Sequence, residues 1–182
     1  MERRLVELAM QGDEDAFDTL IGRIGDGLHS VARRILRDAS LAEDATQQAL
    51  LNAWRHLPQL RNPDDFEAWT HRLLVNACYA EARRERRHRG MLTLLPRDEP
   101  RVSDSASSMA TQDELDRAFR RLTVEHRTVV VLVHYLGLTP AEAAARMGTP
   151  AGTARSRLHY ALQHLRSAIE ADVRTTRERG TA

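Results

Sequence analysis

The sequence predicts an all-α protein of two small helical domains joined by a flexible linker, with a helix-turn-helix in the second domain. Apolar residues recur at spacings of three and four along most of the chain, as on one face of an amphipathic helix. Capping residues, Pro and Gly divide this pattern into separate helices. One stretch rich in Ser, Pro and acidic residues interrupts it, so we expect domains at 1–90 and 112–182 and a linker at 91–111.

The composition excludes several classes of protein. The 182 residues carry a formal net charge of +1, so any nucleic-acid partner must be bound by a local basic patch. Cys78 is the single cysteine, which leaves no disulfide framework and no thiolate zinc cluster. No apolar run approaches about 20 residues and the N-terminus lacks a signal-peptide core, so we expect a cytoplasmic protein without membrane insertion.

The first two helices are separated by a glycine. Leu5, Leu8 and Ala9 share one side of a short N-terminal helix, which Gly12 ends. Asp13 is placed to cap the second helix, with acidic residues in its first turn. Helical spacing then continues to about residue 37, although three glycines each weaken this helix by about 1 kcal/mol.

The third helix is predicted to begin with a capping box at Ser40 and to end before Pro58. Its buried face is predicted to consist of Leu41, Ala45, Ala49, Ala53, Trp54 and Leu57. Its opposite face is polar around Leu51, and an apolar side chain in that setting fits either a docking surface or an isolated surface leucine.

The fourth helix is predicted to start at Pro63 with Asn62 as its cap. Its inward face is predicted to be Phe66, Trp69, Leu73, Ala77 and Ala80. Arginines lie off that face and crowd its C-terminal end, where the chain carries its densest positive charge. Such an arrangement fits a track for nucleic-acid phosphates, or a solvated helix end favoured by the helix dipole.

The second domain opens with a helix after the linker and a further helix capped by Thr123. The run Val129–Val133 would ordinarily indicate a strand. We predict a buried helix there, because the neighbouring segments are helical and the sequence offers no partner strand.

A short helix, a glycine turn and a second helix follow. Thr139 and Glu142 form a capping box, Gly148 ends the short helix, and Thr149 is predicted to cap the next one. The apolar stripe of that last helix is Ala154, Leu158, Ala161, Leu162, Leu165 and Ile169. Polar and basic residues near its start lie off the stripe. This pattern is typical of a DNA-reading helix-turn-helix, although a helical hairpin with solvated arginines would look similar.

The motifs of common enzyme classes are missing from the sequence. It contains no GxGxxG, P-loop or HExxH motif, and its histidines lack the spacing of metal ligands. Cys78 falls within a helix as a small apolar residue. We therefore expect no catalytic residues, no metal and no cofactor.

Several blocks in the same order resemble bacterial sigma factors of the extracytoplasmic-function group in the sigma-70 family. The first domain contributes GDEDAFDTLI, AEDATQQALLNAWRHLPQL and FEAWTHRLLVNACYAEARRERR, and the second contributes LTVEHRTVVVLVHYLGLTPAEAAARMGTPAGTARSRLHYALQHLR. The resemblance covers residues 12–168. It implies an alternative sigma factor that binds core RNA polymerase and directs promoter-specific initiation by reading the minus-35 and minus-10 elements.

The same resemblance implies roles for particular residues. The third helix would dock on a coiled coil of the largest polymerase subunit through Asp44, Gln47, Gln48, Leu51 and Arg55. The downstream element would be read as a melted strand by Asn62, Arg72, Asn76, Arg83 and Arg84, with Asn76 contacting a base. The upstream element would be read by Thr153, Arg155, Ser156, Arg157 and His159. An anti-sigma protein is expected as a further partner.

The chain departs from the family pattern at three positions. Gln48 stands where an acidic residue is usual, Tyr160 replaces a frequent Arg, and Thr123 replaces a usual Pro. The alternative interpretation is a stand-alone helix-turn-helix regulator that binds duplex operators without polymerase. A helical interaction protein with no DNA role is the third, and the arginine-rich segments argue against it.

Overall fold

The computed structural model describes the backbone of residues 2–92 and 110–179, and this part of the chain is helical without a strand. The predicted linker 91–111 falls largely outside it, and the flexibility predicted there concerns residues that the structure does not describe. The helices are α1 Glu2–Met10, α2 Glu14–Leu36, α3 Ala39–His56, α4 Phe66–Leu92, α5 Ala110–Arg121, α6 Val124–Val130, α7 Pro140–Met147 and α8 Ala151–Arg179.

Three of the predicted helix starts are confirmed by their hydrogen bonds. The Asp13 carboxylate accepts from Ala16 N at 2.9 Å, and the Thr123 hydroxyl accepts a backbone N–H of α6. Both halves of the Thr139–Glu142 capping box are present. These caps satisfy backbone donors that have no partner within the helix, which is why they can be found from local sequence.

The predicted cap of α3 is wrong. Asp38 caps this helix instead of Ser40, and its carboxylate accepts from Leu41 N at 3.0 Å. The reason lies one residue earlier, at Arg37, where α2 ends in a left-handed conformation with φ of 61°. The chain turns so tightly that the extended residue needed at a helix start comes immediately afterwards, at Asp38.

The starts of α4 and α8 also differ from prediction. Asn62 caps a 3-10 turn at Pro63–Asp65, and α4 begins only after that turn. Helix α8 begins at Ala151, and its first hydrogen bond runs from Ala154 N to the Pro150 carbonyl at 3.2 Å. The Thr149 hydroxyl is buried without a hydrogen-bond partner among the described groups, so Thr149 does not cap α8.

The valine run forms a buried helix, as predicted, with an added feature. Helix α6 continues into a wider π-helical turn at Val131–Tyr135. Leu136 N donates to the Val131 carbonyl at 3.2 Å, five residues back. Val129 and Leu132 are completely buried, so burial decides in favour of a helix here over strand propensity.

Three apolar side chains that were predicted to face a core do not. Trp54 is 37% exposed and Leu162 is 41% exposed, and Ala80 is exposed on α4. All three lie at the edge of their apolar stripe, where a rotation of a few tens of degrees moves a side chain from core to surface.

The two domains pack against one another along a seam. Val75 of α4 is fully buried within the core cluster of the second domain. In the opposite direction, Val124 and Val131 belong to the cluster built by α2, α3 and α4. Helix α7 also lies directly against α4.

Polar contacts cross the same seam from α2. Arg37 forms an ion pair with Asp116 of α5. Arg127 of α6 donates from Nε to the Ile35 carbonyl at 2.6 Å. The Arg34 guanidinium lies 3.8 Å from the ring centroid of Tyr135, within the range of a cation–π contact. The seam is therefore mixed in chemistry, as interfaces between separable domains commonly are.

His71 is expected to make the stability of the fold depend on pH. Its ring is 9% exposed on α4, and burial lowers the pKa of the imidazole below its ordinary value of 6.5. The unfolded chain therefore takes up a proton below about pH 6.5 that the folded chain does not. Stability should be unaffected by this group above that pH and should fall as the pH drops through it.

We expect the free energy of unfolding to decrease more steeply in the wild type than in a His71→Gln variant between about pH 7 and about pH 5. Urea denaturation followed by circular dichroism at several pH values measures both slopes. A comparison of slopes cancels any constant cost of the substitution. Equal slopes in the two proteins would contradict a role for His71.

Candidate protein and nucleic-acid interfaces

The outer face of α3 carries the residues predicted to dock on a protein partner. The structure brings them together on one exposed face: Asp44, Gln47, Gln48, Leu51 and Arg55. Gln48 donates to Asn52 Oδ1 at 3.2 Å, one turn further along. Leu51 is 51% exposed and is the apolar centre of this polar face.

Leu51 lies beside a groove that α2 and α3 form together. Phe17 of α2 and Trp54 of α3 meet across it with ring centroids 4.7 Å apart, and Ile21 and Leu50 complete its apolar lining. We call these residues, with Leu51, the docking groove. Its volume is about 560 Å³, which is ample for side chains of a partner helix.

Sequence reasoning missed the α2 half of this groove. Glu14 and Asp18 line it on the α2 side and give one rim a negative charge. The usable signal was the spacing of Leu51 and Trp54, which places both on one helical face at i and i+3. Assigning Trp54 to the core concealed that pair.

The outer face of α4 carries the residues predicted to read the downstream element. Arg72 and Asn76 are exposed one helical turn apart, and Arg83 and Arg84 are exposed two turns further on. Arg84 pairs with Glu81 at 3.4 Å, a surface contact of small energetic value. The face therefore presents an amide flanked by guanidinium groups, which suits a base edge and its neighbouring phosphates.

Asn62 lies in the turn that leads into α4. Its side-chain oxygen accepts from Asp64 N at 3.2 Å, so it supports the turn while remaining exposed. Asp64 in turn forms an ion pair with Arg3, which ties this turn to α1. That exposed pair is of small energetic value, and the turn is positioned mainly by Phe66, which follows it and is buried in the same core cluster as Val6 of α1.

The helix-turn-helix of the second domain is formed by α7 and α8. Gly148 ends α7 in a left-handed conformation with φ of 62°, where a side chain would be strained. Arg155, Ser156 and His159 are exposed on the first turns of α8. This is the geometry in which the start of a second helix enters the major groove.

The other two predicted readers on α8 are less accessible. Thr153 is half-buried and its carbonyl accepts from the Ser156 hydroxyl at 3.0 Å. Arg157 is also half-buried, and its charge faces Tyr79 of α4 across the seam. Burial raises the pKa of the Tyr79 phenol, and the Arg157 charge acts in the opposite direction.

Cys78 has the properties of a core residue. It is fully buried on α4, and burial raises the pKa of its thiol to about 12. A thiol with that pKa stays protonated at neutral pH and is a poor nucleophile.

Within residues 2–92 and 110–179, no helix combines the length and apolarity that crossing a membrane requires.

Comparison with known proteins identifies both halves of the chain. The family model for Sigma-70 region 2 matches residues 20–88, and that for Sigma-70, region 4 matches residues 112–165. The ECF RNA polymerase sigma factor SigM of Mycobacterium tuberculosis is 35% identical over 156 residues, which cover 86% of this chain and 78% of the relative. The RNA polymerase sigma-H factor of Pseudomonas aeruginosa is 26% identical over 93% of this chain and 94% of its own length.

Two solved structures share the fold. CnrH, determined in complex with the cytosolic domain of CnrY, gives a TM-score of 0.66 at 26% identity over 94% of this chain and 98% of that one. The sigma factor RpoE of Bartonella quintana, determined in complex with the anti-sigma factor NepR, gives a TM-score of 0.66 at 21% identity, covering 86% of this chain and 98% of that one. At that identity the second likeness concerns the fold alone.

Proposed function

We propose a role for each surface of this chain, which belongs to the extracytoplasmic-function group of sigma-70 factors. These alternative sigma factors bind core RNA polymerase and direct promoter-specific initiation. Polymerase docks on the outer face of α3 and the adjoining docking groove. The observation that carries this assignment is Leu51, an exposed leucine whose neighbours form an apolar groove with a polar rim. Interfaces are typically built in this way, from an apolar centre and a polar surround.

We propose that α4 reads the downstream element after the duplex has melted. Asn76 contacts an extruded base, because its amide can both donate to and accept from a base edge. Arg72, Arg83 and Arg84 hold the strand by its phosphates, and Asn62 shapes the turn beside them. The exposure of all five side chains supports this role.

We propose that α8 reads the upstream element in duplex form. Arg155, Ser156 and His159 face solvent near the start of the helix, where base edges in the major groove come within reach. Arg157 and Thr153, which are half-buried in the same turns, complete the reading surface. The near-neutral net charge of +1 fits a protein that binds promoters only together with polymerase, since few phosphates are neutralised otherwise.

Replacing Arg155 with alanine tests the upstream-element assignment. We expect promoter binding by the reconstituted holoenzyme to weaken by about 1–3 kcal/mol if Arg155 reads a base edge. Run-off transcription, with promoter fragments selected from the genome by the wild-type holoenzyme, measures the loss. Arg166→Ala is the matched control, because Arg166 is exposed on the same helix about three turns further on. If both substitutions weaken promoter binding equally, Arg155 acts only through its positive charge and does not read a base edge.

Four further proposals complete the assignment. We propose domain boundaries at 1–90 and 112–182 with a linker at 91–111, and both family matches lie within these domains. An anti-sigma protein is a further partner, supported by the related CnrH, which was determined in complex with the cytosolic domain of another protein. The chain acts in the cytoplasm, where its polymerase is, and contributes no catalytic group of its own.

A further inference from the structure

An arginine-lined pocket lies on the seam between the two domains, away from the docking groove and from the helix-turn-helix. Its volume is about 290 Å³. The guanidinium groups in its lining are those of Arg37, Arg86, Arg89, Arg120 and Arg127. We call it the seam pocket.

Both domains supply the seam pocket. The first domain contributes Arg37, which directly follows α2, and two arginines of α4, and the second contributes one each from α5 and α6. The residues involved are up to 90 positions apart in sequence, from 37 to 127. The pocket therefore exists only while the two domains are packed together.

One of these arginines is held firmly in place. Arg127 donates from Nε to the Ile35 carbonyl at 2.6 Å, and from one terminal nitrogen to the carbonyls of Arg120 and Leu122 at 3.3 and 3.2 Å. Burial lowers the pKa of its guanidinium, and the neighbouring charges of Arg37 and Arg86 lower it further. Positive charges from the two domains thus approach closely enough to repel one another.

The carboxylates that the structure describes around the pocket pair with only some of its arginines. Glu85 pairs with Arg89 at 2.6 Å, and Asp116 pairs with Arg37. Glu125 lies close enough to raise the pKa of Arg127. Neither Arg86 nor Arg120 forms an ion pair with any carboxylate in the described part of the chain, so an excess of positive charge faces the cavity.

We propose that the seam pocket binds a compact polyphosphate group, either inorganic pyrophosphate or the polyphosphate of a nucleotide, and that this anion bridges the two domains. Guanidinium groups match phosphate oxygens with paired hydrogen bonds, which favours phosphate over spherical anions. The cavity has room for two or three phosphoryl groups and excludes a folded macromolecule. This proposal does not depend on the promoter-reading roles, and its test requires neither polymerase nor DNA.

Bridging would relieve the repulsion across the seam. Without an anion, the arginines of α4 oppose those of α5 and α6, which weakens the packed arrangement. An anion that binds only the packed form stabilises that form increasingly as its concentration rises above the dissociation constant. Ligand binding and domain packing should therefore be coupled.

Isothermal titration of the full-length protein with sodium pyrophosphate, at constant ionic strength set with sodium chloride, tests the site. We expect one site per chain, and a dissociation constant that rises about tenfold in each of Arg86→Ala and Arg120→Ala. Arg117→Ala is the matched control, because Arg117 is an exposed arginine of α5 outside the pocket. No binding to the wild type, or the same loss in Arg117→Ala, would overturn the proposal.

Two further experiments test whether the ligand needs more than one phosphoryl group and whether the site needs both domains. ATP should bind as pyrophosphate does, while AMP should bind at least about tenfold more weakly, because one phosphoryl group cannot reach both domains. The seam variant Val75→Asp should lose pyrophosphate binding although it retains every pocket arginine. Retained binding in that variant, with its helical circular dichroism unchanged, would contradict a site shared between the domains.

Discussion

Replacing Leu51 with glutamate is expected to lower the affinity of this sigma factor for core RNA polymerase by at least about tenfold. Leu51 is 51% exposed, so the substitution costs the free protein little. In the complex, the new carboxylate would lie against an apolar partner surface in the docking groove. The partner would also exclude water from this carboxylate beside Glu14 and Asp18, which strengthens the repulsion among the three charges in the complex.

Fluorescence anisotropy of the labelled protein, titrated with core polymerase, measures this loss. Met91→Glu is the control, because Met91 is an exposed apolar side chain, 74% accessible, at the far end of α4. It adds the same charge outside the groove and should bind polymerase like the wild type. Wild-type affinity in Leu51→Glu would remove the groove from the polymerase interface.

The helices and most of their ends could be predicted because the deciding contacts are local. A cap such as Asp13 or Thr139 bonds to an N–H three residues away, so both partners appear in one short window of sequence. Gly148 follows the same logic, since a left-handed residue after a helix favours glycine. Where two nearby residues could each cap a helix, as Asp38 and Ser40 could for α3, the local sequence did not show which one would.

The docking groove was only half predictable. The exposed face of α3 follows from helical spacing alone, which is why Leu51 could be identified. The contribution of Phe17 depends on how α2 lies against α3, and the exposure of Trp54 depends on the same packing. Spacing within one helix does not contain that information.

The seam left no separate signal in the sequence. Val131 lies in the valine run predicted as a buried helix, and Val75 falls outside the inward face predicted for α4. Periodicity cannot tell which domain such an apolar side chain will contact. The seam pocket was invisible for a related reason. Its arginines are scattered along the chain and meet only through tertiary packing.

Promoter reading requires the seam to open. Elements centred near positions minus 35 and minus 10 lie about 25 base pairs apart, which is about 85 Å along B-form DNA. In this structure α7 lies against α4, and packed helices have axes about 8–10 Å apart. The two proposed reading surfaces therefore cannot engage both elements while the domains remain packed. Fully extended, residues 93–109 span at most about 60 Å. Together with the size of the two domains, this length is sufficient to reach both elements.

The contacts in the seam suit such an opening. Arg146 Nε of α7 is buried without a hydrogen-bond partner among the described groups. Each unpaired buried group of this kind costs about 1–3 kcal/mol, a cost that water removes once the domains separate. The apolar contacts of Val75 favour the packed form and oppose that gain. A substitution at Val75 should therefore shift the equilibrium between packed and separated domains.

Val75→Asp is accordingly expected to separate the domains without unfolding them. A carboxylate at a fully buried position of the seam has no partner there, and opening the seam returns it to water. Small-angle scattering should give a radius of gyration near about 16 Å for the compact wild type and several ångströms more for the variant. Ala80→Asp, which adds the same charge at an exposed position of α4, should leave the radius unchanged. A compact Val75→Asp protein with full helical content would show that this side chain does not hold the domains together.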